Sequence, residues 1–123
     1  MRQKIYVIED NEIFSQAILG VLARDFELAV FSDPKAALTA IDAGRTPDFI
    51  VADINIPSMD GFVFIEELRA RRFSQPIVVV SGFATPGALL RAFELGVTDF
   101  LEKPFGIERF RRALARAGRL TEL

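Results

Sequence analysis

The sequence predicts an α/β fold, a doubly wound five-stranded parallel sheet with helices on both faces. Three observations predict it. Short apolar runs rich in β-formers alternate with helical patterns five times along the chain. Each run is nearly continuous in hydrophobicity, as a strand is when helices cover both of its sides. The connections are short, as αβ and βα loops are, and right-handed crossovers then wind the helices onto the two faces.

The first strand is read at Ile5–Ile8 and is followed by a helix over 11–24, with Asp10 or Asn11 placed to cap it. Leu28–Phe31 is the second strand. Its helix, over 34–43, starts at Ser32-Asp33-Pro34, a capping side chain just before a proline suited to the first turn. Phe49–Ala52 is the third strand, with a helix over 60–72. Ile77–Val80 is the fourth, and Thr85-Pro86 opens a helix over 86–95. A weaker strand at Thr98–Leu101 leads to the last helix, over 107–117. Gly44, Gly96 and Gly118 fall where helices should stop.

The chain of 123 residues is half hydrophobic, the size and composition of one domain with a substantial core, and residues 1–123 are read as one unit. With 15 basic and 17 acidic residues the formal charge is −2, which argues against disorder and against a protein that coats polyanions. There is no cysteine and no histidine. That removes disulfide frameworks, thiol nucleophiles, histidine zinc sites and Ser/His/Asp triads, and leaves carboxylates, lysine, arginine and hydroxyls for any chemistry. No apolar run approaches a bilayer span, and only four apolar residues follow Lys4 before Glu9, so the expected location is the cytoplasm.

In a doubly wound sheet the working site lies beyond the carboxyl ends of the strands, at the switch point. Glu9 and Asp10 follow strand one, Asp53 follows strand three, Ser81-Gly82 follows strand four and Lys103-Pro104 follows strand five. Taken singly, each has an ordinary structural reading as a cap, a turn former or a solvated charge. Taken together they ask for a cation, because two carboxylates ~4 Å apart repel by about 4 kcal/mol at an effective dielectric of 20. A hard divalent ion such as magnesium suits an all-oxygen site, and Lys103 supplies a second positive charge. Several strand orders satisfy the crossover rule; if strand five lies two places from strand three, roughly 10 Å away, the lysine can lean across to Asp53.

Four stretches carry a resemblance: Val7-Ile8-Glu9-Asp10-Asn11; Asp53-Ile54-Asn55-Ile56-Pro57-Ser58-Met59-Asp60-Gly61; Val80-Ser81-Gly82; and Gly96-Val97-Thr98-Asp99-Phe100-Leu101-Glu102-Lys103-Pro104-Phe105. In this order and spacing, over essentially the whole chain, they resemble the CheY-like receiver domain of two-component response regulators. The resemblance implies a flavodoxin-like (βα)5 sheet of strand order 2-1-3-4-5. It implies that Asp53 accepts a phosphoryl group, that Glu9, through water, and Asp10 hold Mg²⁺ with Asp53, and that the Asn55 carbonyl is a further ligand. Ser81 would hydrogen-bond the phosphoryl oxygens, Lys103 would pair with another, and Phe100 would turn inward in response. It also implies a cis bond before Pro104. Glu9 stands where the family more often has Asp, and Val97 where it usually has Ala. The chemistry agrees, since phosphoryl transfer needs a nucleophile, a bridging metal and positive charge on the equatorial oxygens.

The same resemblance places the lifetime of the phosphorylated state on Asn55 and Phe83, with Phe83 expected to exclude the hydrolytic water that Asn55 would help position. Output is expected from the fourth helix, strand five and the fifth helix. At 100° per residue Ala88, Ala92 and Leu95 cluster within about 60°, while Leu90 and Phe93 point about 140–200° away and form a candidate partner patch. Expected partners are a sensor histidine kinase or histidine phosphotransfer protein, a downstream protein target and, on phosphorylation, a second copy of the chain. The five arginines of 107–123 read as a solvated helix face, with no direct DNA binding expected. The chain is expected to be a complete single-domain regulator or the receiver segment of a longer one, with no enzymatic activity beyond its own phosphorylation and dephosphorylation. Three rivals fit less well. A haloacid-dehalogenase-type phosphatase wants a carboxylate where Asn55 stands, and an FMN carrier would meet repulsion from Glu9, Asp10 and Glu12. A pseudo-receiver, a binding module without phosphorylation, normally lacks one of the acidic pair, the acceptor or the lysine.

Overall fold

The computed structural model describes residues 2–121. Five parallel strands form one sheet: β1 (Gln3–Ile8), β2 (Phe26–Phe31), β3 (Phe49–Asp53), β4 (Ile77–Ser81) and β5 (Asp99–Glu102), in the order β2-β1-β3-β4-β5. The helices between and after them are α1 (Glu12–Leu22), α2 (Pro34–Asp42), α3 (Gly61–Ala70), α4 (Pro86–Glu94) and α5 (Ile107–Thr121). The predicted fold and order are those observed.

Alternate residues of each strand feed two cores. Ile5, Val7, Phe49, Val51, Val78, Val80 and Leu101 pack under α1 and α5. Tyr6, Ile8, Ile50, Ala52, Ile77, Val79 and Phe100 pack under α2, α3 and α4. Strands covered on both sides explain the unbroken hydrophobic runs. The order reverses at β1, which pairs with β2 on one side and β3 on the other, so the ends of β1 and β3 open together on a crevice.

Helix starts follow the local chemistry. Asn11, Asp33, Asp60 and Thr85 each accept a hydrogen bond from an amide of the first turn, and Pro34 and Pro86 stand at the first helical positions. Gly44 and Gly96 end their helices with positive φ, at 89° and 76°.

Some boundaries differ from the prediction. β2 begins two residues earlier, at Phe26, whose ring packs edge-on against Phe49 at 6.0 Å. β5 is Asp99–Glu102 in place of 98–101, and α1 and α3 stop two residues short of the predicted ends. Gly118 does not stop α5, which runs on to Thr121. A Cβ at Gly118 would stand 2.5 Å from Gln3 Oε1, and Gln3 Nε2 donates to the Gly118 carbonyl at 3.0 Å. This glycine therefore sits where the end of the Gln3 side chain reaches the α5 backbone and does not terminate the helix. A two-residue antiparallel pair, Asn55–Ile56 with Met59–Asp60, was not expected; it is too short for periodicity to reveal.

Candidate functional site

The crevice collects the polar groups named from the sequence. Glu9 and Asp53 leave the ends of β1 and β3 and are only 3% and 8% exposed, while Asp10 faces solvent. One carboxylate oxygen from each of the three lies within 4.8 Å of the others. Lys103 crosses from the end of β5, two strands away, as expected from the strand order. Its ammonium donates to Glu9 Oε1 at 2.8 Å and Asp53 Oδ2 at 2.9 Å. The Lys103-Pro104 peptide is cis. Two of the three carboxylates share one lysine, and the site carries excess negative charge.

The remaining contacts assign each atom. Asp53 Oδ1 accepts from the Asn55 amide at 2.8 Å. Ser81, fully buried at the end of β4, donates its hydroxyl to Asn55 Oδ1 at 2.7 Å and accepts from the Phe83 amide at 3.0 Å. The Gly82 amide also donates to Asn55 Oδ1, at 3.3 Å, which fixes the orientation of the amide. The side chain of Asn55 is therefore committed to Ser81. Sequence reading assigned that residue only a carbonyl ligand and a water-positioning role.

Phe83 is 70% exposed and touches this network through its backbone. Phe100 already lies inside the core under α4, so its expected inward turn has no outward starting point here. Leu90 and Phe93 are 61% and 56% exposed on α4, while Ala92 is buried and Ala88 and Leu95 pack on the sheet, as the helical phase predicts. Sequence reading missed Phe14, whose ring lies 4.3 Å from the Lys103 ammonium.

Residues 5–115 match the family model for the response regulator receiver domain. The chain belongs to the response regulator receiver family. It is 37% identical over 120 residues to protein-glutamate methylesterase/protein-glutamine glutaminase 1 of Anaeromyxobacter dehalogenans, covering 94% of this chain and 34% of that protein. It is 30% identical over 119 residues to the transcriptional regulatory protein FixJ of Bradyrhizobium diazoefficiens, covering 96% and 58%. The chain thus spans about a third to somewhat over half of these relatives. Among solved structures, a CheY-like receiver domain protein from Methanospirillum hungatei shares the fold with TM-score 0.91 at 16% identity, covering 99% and 98%. Chemotaxis protein CheY4 of Vibrio cholerae matches at 0.85 with 25% identity, covering 95% and 99%.

Receiver domains serve phosphorylation-dependent signalling in two-component systems and bind Mg²⁺ at an acidic pocket. The donor set of this chain fits that ion, being oxygen throughout with three carboxylates converging. Among the described residues no helix is long and apolar enough to cross a membrane.

Burial pushes the Glu9 carboxyl above its ordinary 4.5, the Asp53 charge adds to this, and hydrogen bonds from Lys103 and the Asn11 amide oppose it. Burial works to lower the Lys103 ammonium, but its bonds to Glu9 and Asp53 outweigh that and raise it. A raised carboxyl means that the folded chain holds this proton more tightly than the unfolded one. Glu9 therefore favours the fold at low pH, and the contribution is lost as pH rises through the window above 4.5. A metal held by Glu9 would have to displace the same proton. Mg²⁺ affinity measured by calorimetry should weaken while the pH is still above 4.5, approaching a tenfold loss per pH unit below the raised value. Affinity that stays flat down to 4.5 would contradict a raised Glu9 carboxyl acting at the metal.

Proposed function

We propose that residues 1–123 act as a phosphorylation-activated switch in which Asp53 accepts a phosphoryl group from a sensor histidine kinase or histidine phosphotransfer protein. The observation that carries this reading is the placement of Asp53 at the switch point, nearly buried, beside Glu9 and Asp10 and bonded to Lys103. An Asp53 oxygen attacks phosphorus in line, a phosphorus–oxygen bond forms, and the bond to the donor's imidazole nitrogen breaks, the nitrogen keeping the electron pair. Mg²⁺ held by Glu9, Asp10, Asp53 and the Asn55 carbonyl would neutralise the charge on the transferring oxygens. Lys103 gives up its bond to Asp53 Oδ2 and pairs with a phosphoryl oxygen. Ser81 has one proton to give, so it must leave Asn55 Oδ1 to reach the phosphoryl group.

That exchange supplies a route to the surface. Ser81 is bonded to Phe83, the neighbouring Ala84 amide donates to Glu102 on β5, and Thr85 caps α4. Moving Ser81 shifts the loop that leads into α4, with Phe100 packed beneath it. Phe83, exposed on this loop, would shield the phosphoryl group from water and so lengthen its lifetime.

The output face is α4-β5-α5, with Leu90 and Phe93 as its apolar centre. It meets a downstream protein or a second phosphorylated copy. Leu90→Ser with Phe93→Gln should leave phosphorylation unchanged and weaken phosphorylation-dependent dimerisation or target binding at least about tenfold, the equivalent of ~1.4 kcal/mol. Full retention of binding would place the output elsewhere. On the basic face of α5, Arg109 is paired with Asp99 at 3.0 Å. The chain's own chemistry is then limited to gaining and losing its phosphoryl group. The test of the whole reading is intact mass after incubation with a small phosphodonor: a gain of one phosphoryl group with Mg²⁺ and none in EDTA. Labelling undiminished in EDTA would overturn it.

A further inference from the structure

We propose that Phe14, on the first turn of α1, is a positioning residue that holds the Lys103 ammonium at the phosphoryl site. The proposal rests on the phosphoacceptor reading of Asp53. A lysine ammonium has three donor protons. In this structure two are spent on Glu9 Oε1 and Asp53 Oδ2, and the ring of Phe14 covers the ammonium at 4.3 Å. The two carboxylates are the groups that a divalent ion would draw to itself. Phe14 alone among the three partners has no ligand atom to lose, so its attraction for the cation persists when the metal arrives.

The ring is itself held in place. Phe14 meets Phe105 edge-on at 5.7 Å, and Phe105 packs on Phe110 at 5.1 Å, inside the core under α1 and α5. Phe105 follows Lys103 by two residues, so the loop after β5 and the first turn of α1 are joined by aromatic packing on one side and by the cation–ring contact on the other. A lysine side chain has four flexible bonds and loses rotamer freedom when fixed. A contact that restricts it before the phosphoryl group arrives lowers that loss at the step where its charge is needed.

The test uses beryllofluoride, a tetrahedral phosphoryl analogue that needs Asp53, Mg²⁺ and the lysine together, and separates it from Mg²⁺ alone. In Phe14→Leu, which keeps the apolar packing and removes the π face, beryllofluoride affinity at saturating Mg²⁺ should fall about fivefold, the equivalent of ~1 kcal/mol. Mg²⁺ affinity should stay within about twofold, because Phe14 offers the metal nothing, and Phe14→Tyr should restore beryllofluoride binding to within about twofold, because the π face returns. Unchanged beryllofluoride affinity in Phe14→Leu overturns the proposal. So does an equal loss of Mg²⁺ affinity, or an equal loss in Phe14→Tyr, since either marks a general loosening of α1. If the unaltered chain binds no beryllofluoride with Mg²⁺, the phosphoacceptor reading fails and the proposal falls with it. If the unaltered chain binds and all three proteins are alike, only the role of Phe14 is refuted.

Discussion

Asp53→Asn should take up no phosphoryl group from a small phosphodonor with Mg²⁺, against stoichiometric labelling of the unaltered chain. The substitution keeps shape and removes the nucleophile. An asparagine oxygen can still accept the Asn55 amide that Asp53 Oδ1 accepts at 2.8 Å, so the turn after β3 remains bonded. Lys103 keeps Glu9 at 2.8 Å and is not left as an unpaired buried charge. One of three crowded carboxylates is lost, which relieves repulsion and offsets the ion pair given up with Lys103. The melting curve should therefore lie close to that of the unaltered chain, and loss of labelling cannot be ascribed to unfolding. Intact mass and circular dichroism on the same samples decide it. Label that persists in Asp53→Asn would show another acceptor and remove Asp53 from the role.

Gly61→Ala should be the most damaging small substitution near the site. Gly61 opens α3 where the chain turns back under the Asn55–Ile56 and Met59–Asp60 pair. A Cβ there would stand 2.2 Å from Ile54 Cα and 2.4 Å from Ile54 Cβ. The obstacle is backbone of a buried residue, one removed from Asp53, and not the end of a flexible side chain. Relief requires the Gly61 amide to withdraw from the Ile54 carbonyl, to which it donates at 3.2 Å. Because Asn55 bonds both Asp53 and Ser81, the same shift disturbs the acceptor and the hydroxyl. A destabilisation of about 3 kcal/mol, at the upper end for overpacking, corresponds to roughly 10 °C in melting temperature for a domain of this size. Phosphodonor labelling should also slow. Gly118→Ala is the control: its Cβ meets only the end of Gln3, which can swing aside. A Gly61→Ala protein as stable as Gly118→Ala would refute the steric account.

Glu9, Asp10, Asp53, Ser81 and Lys103 were legible as one cluster because each stands at or just beyond the carboxyl end of a strand. In a parallel sheet all strands end on the same edge, so residues far apart in sequence are gathered without any need to know their side-chain angles. The doubly wound fold was legible for a related reason: strands covered on both faces have unbroken apolar runs, and capping residues with prolines mark helix starts. Leu90 and Phe93 were placed outward by helical phase alone, since α4 buries only a narrow face.

What the sequence could not reveal depends on distance in three dimensions. Gly118 looks like a helix stop until Gln3 is brought against it by the packing of α5 on β1. Arg69 on α3 is partly buried and donates to the carbonyls of Phe73, Leu95 and Gly96, tying the end of α3 to the end of α4. Asn55 as the partner of Ser81, and Phe14 as the partner of Lys103, join residues on different elements through side-chain contacts. Sequence alone thus determined the doubly wound fold and which groups share the sheet's carboxyl edge, because parallel strand direction suffices for that, while the strand order followed from the family resemblance. Only the tertiary structure decided which atom each group meets, because hydrogen bonds and ring contacts are made over a few ångströms and the order of residues does not encode that distance.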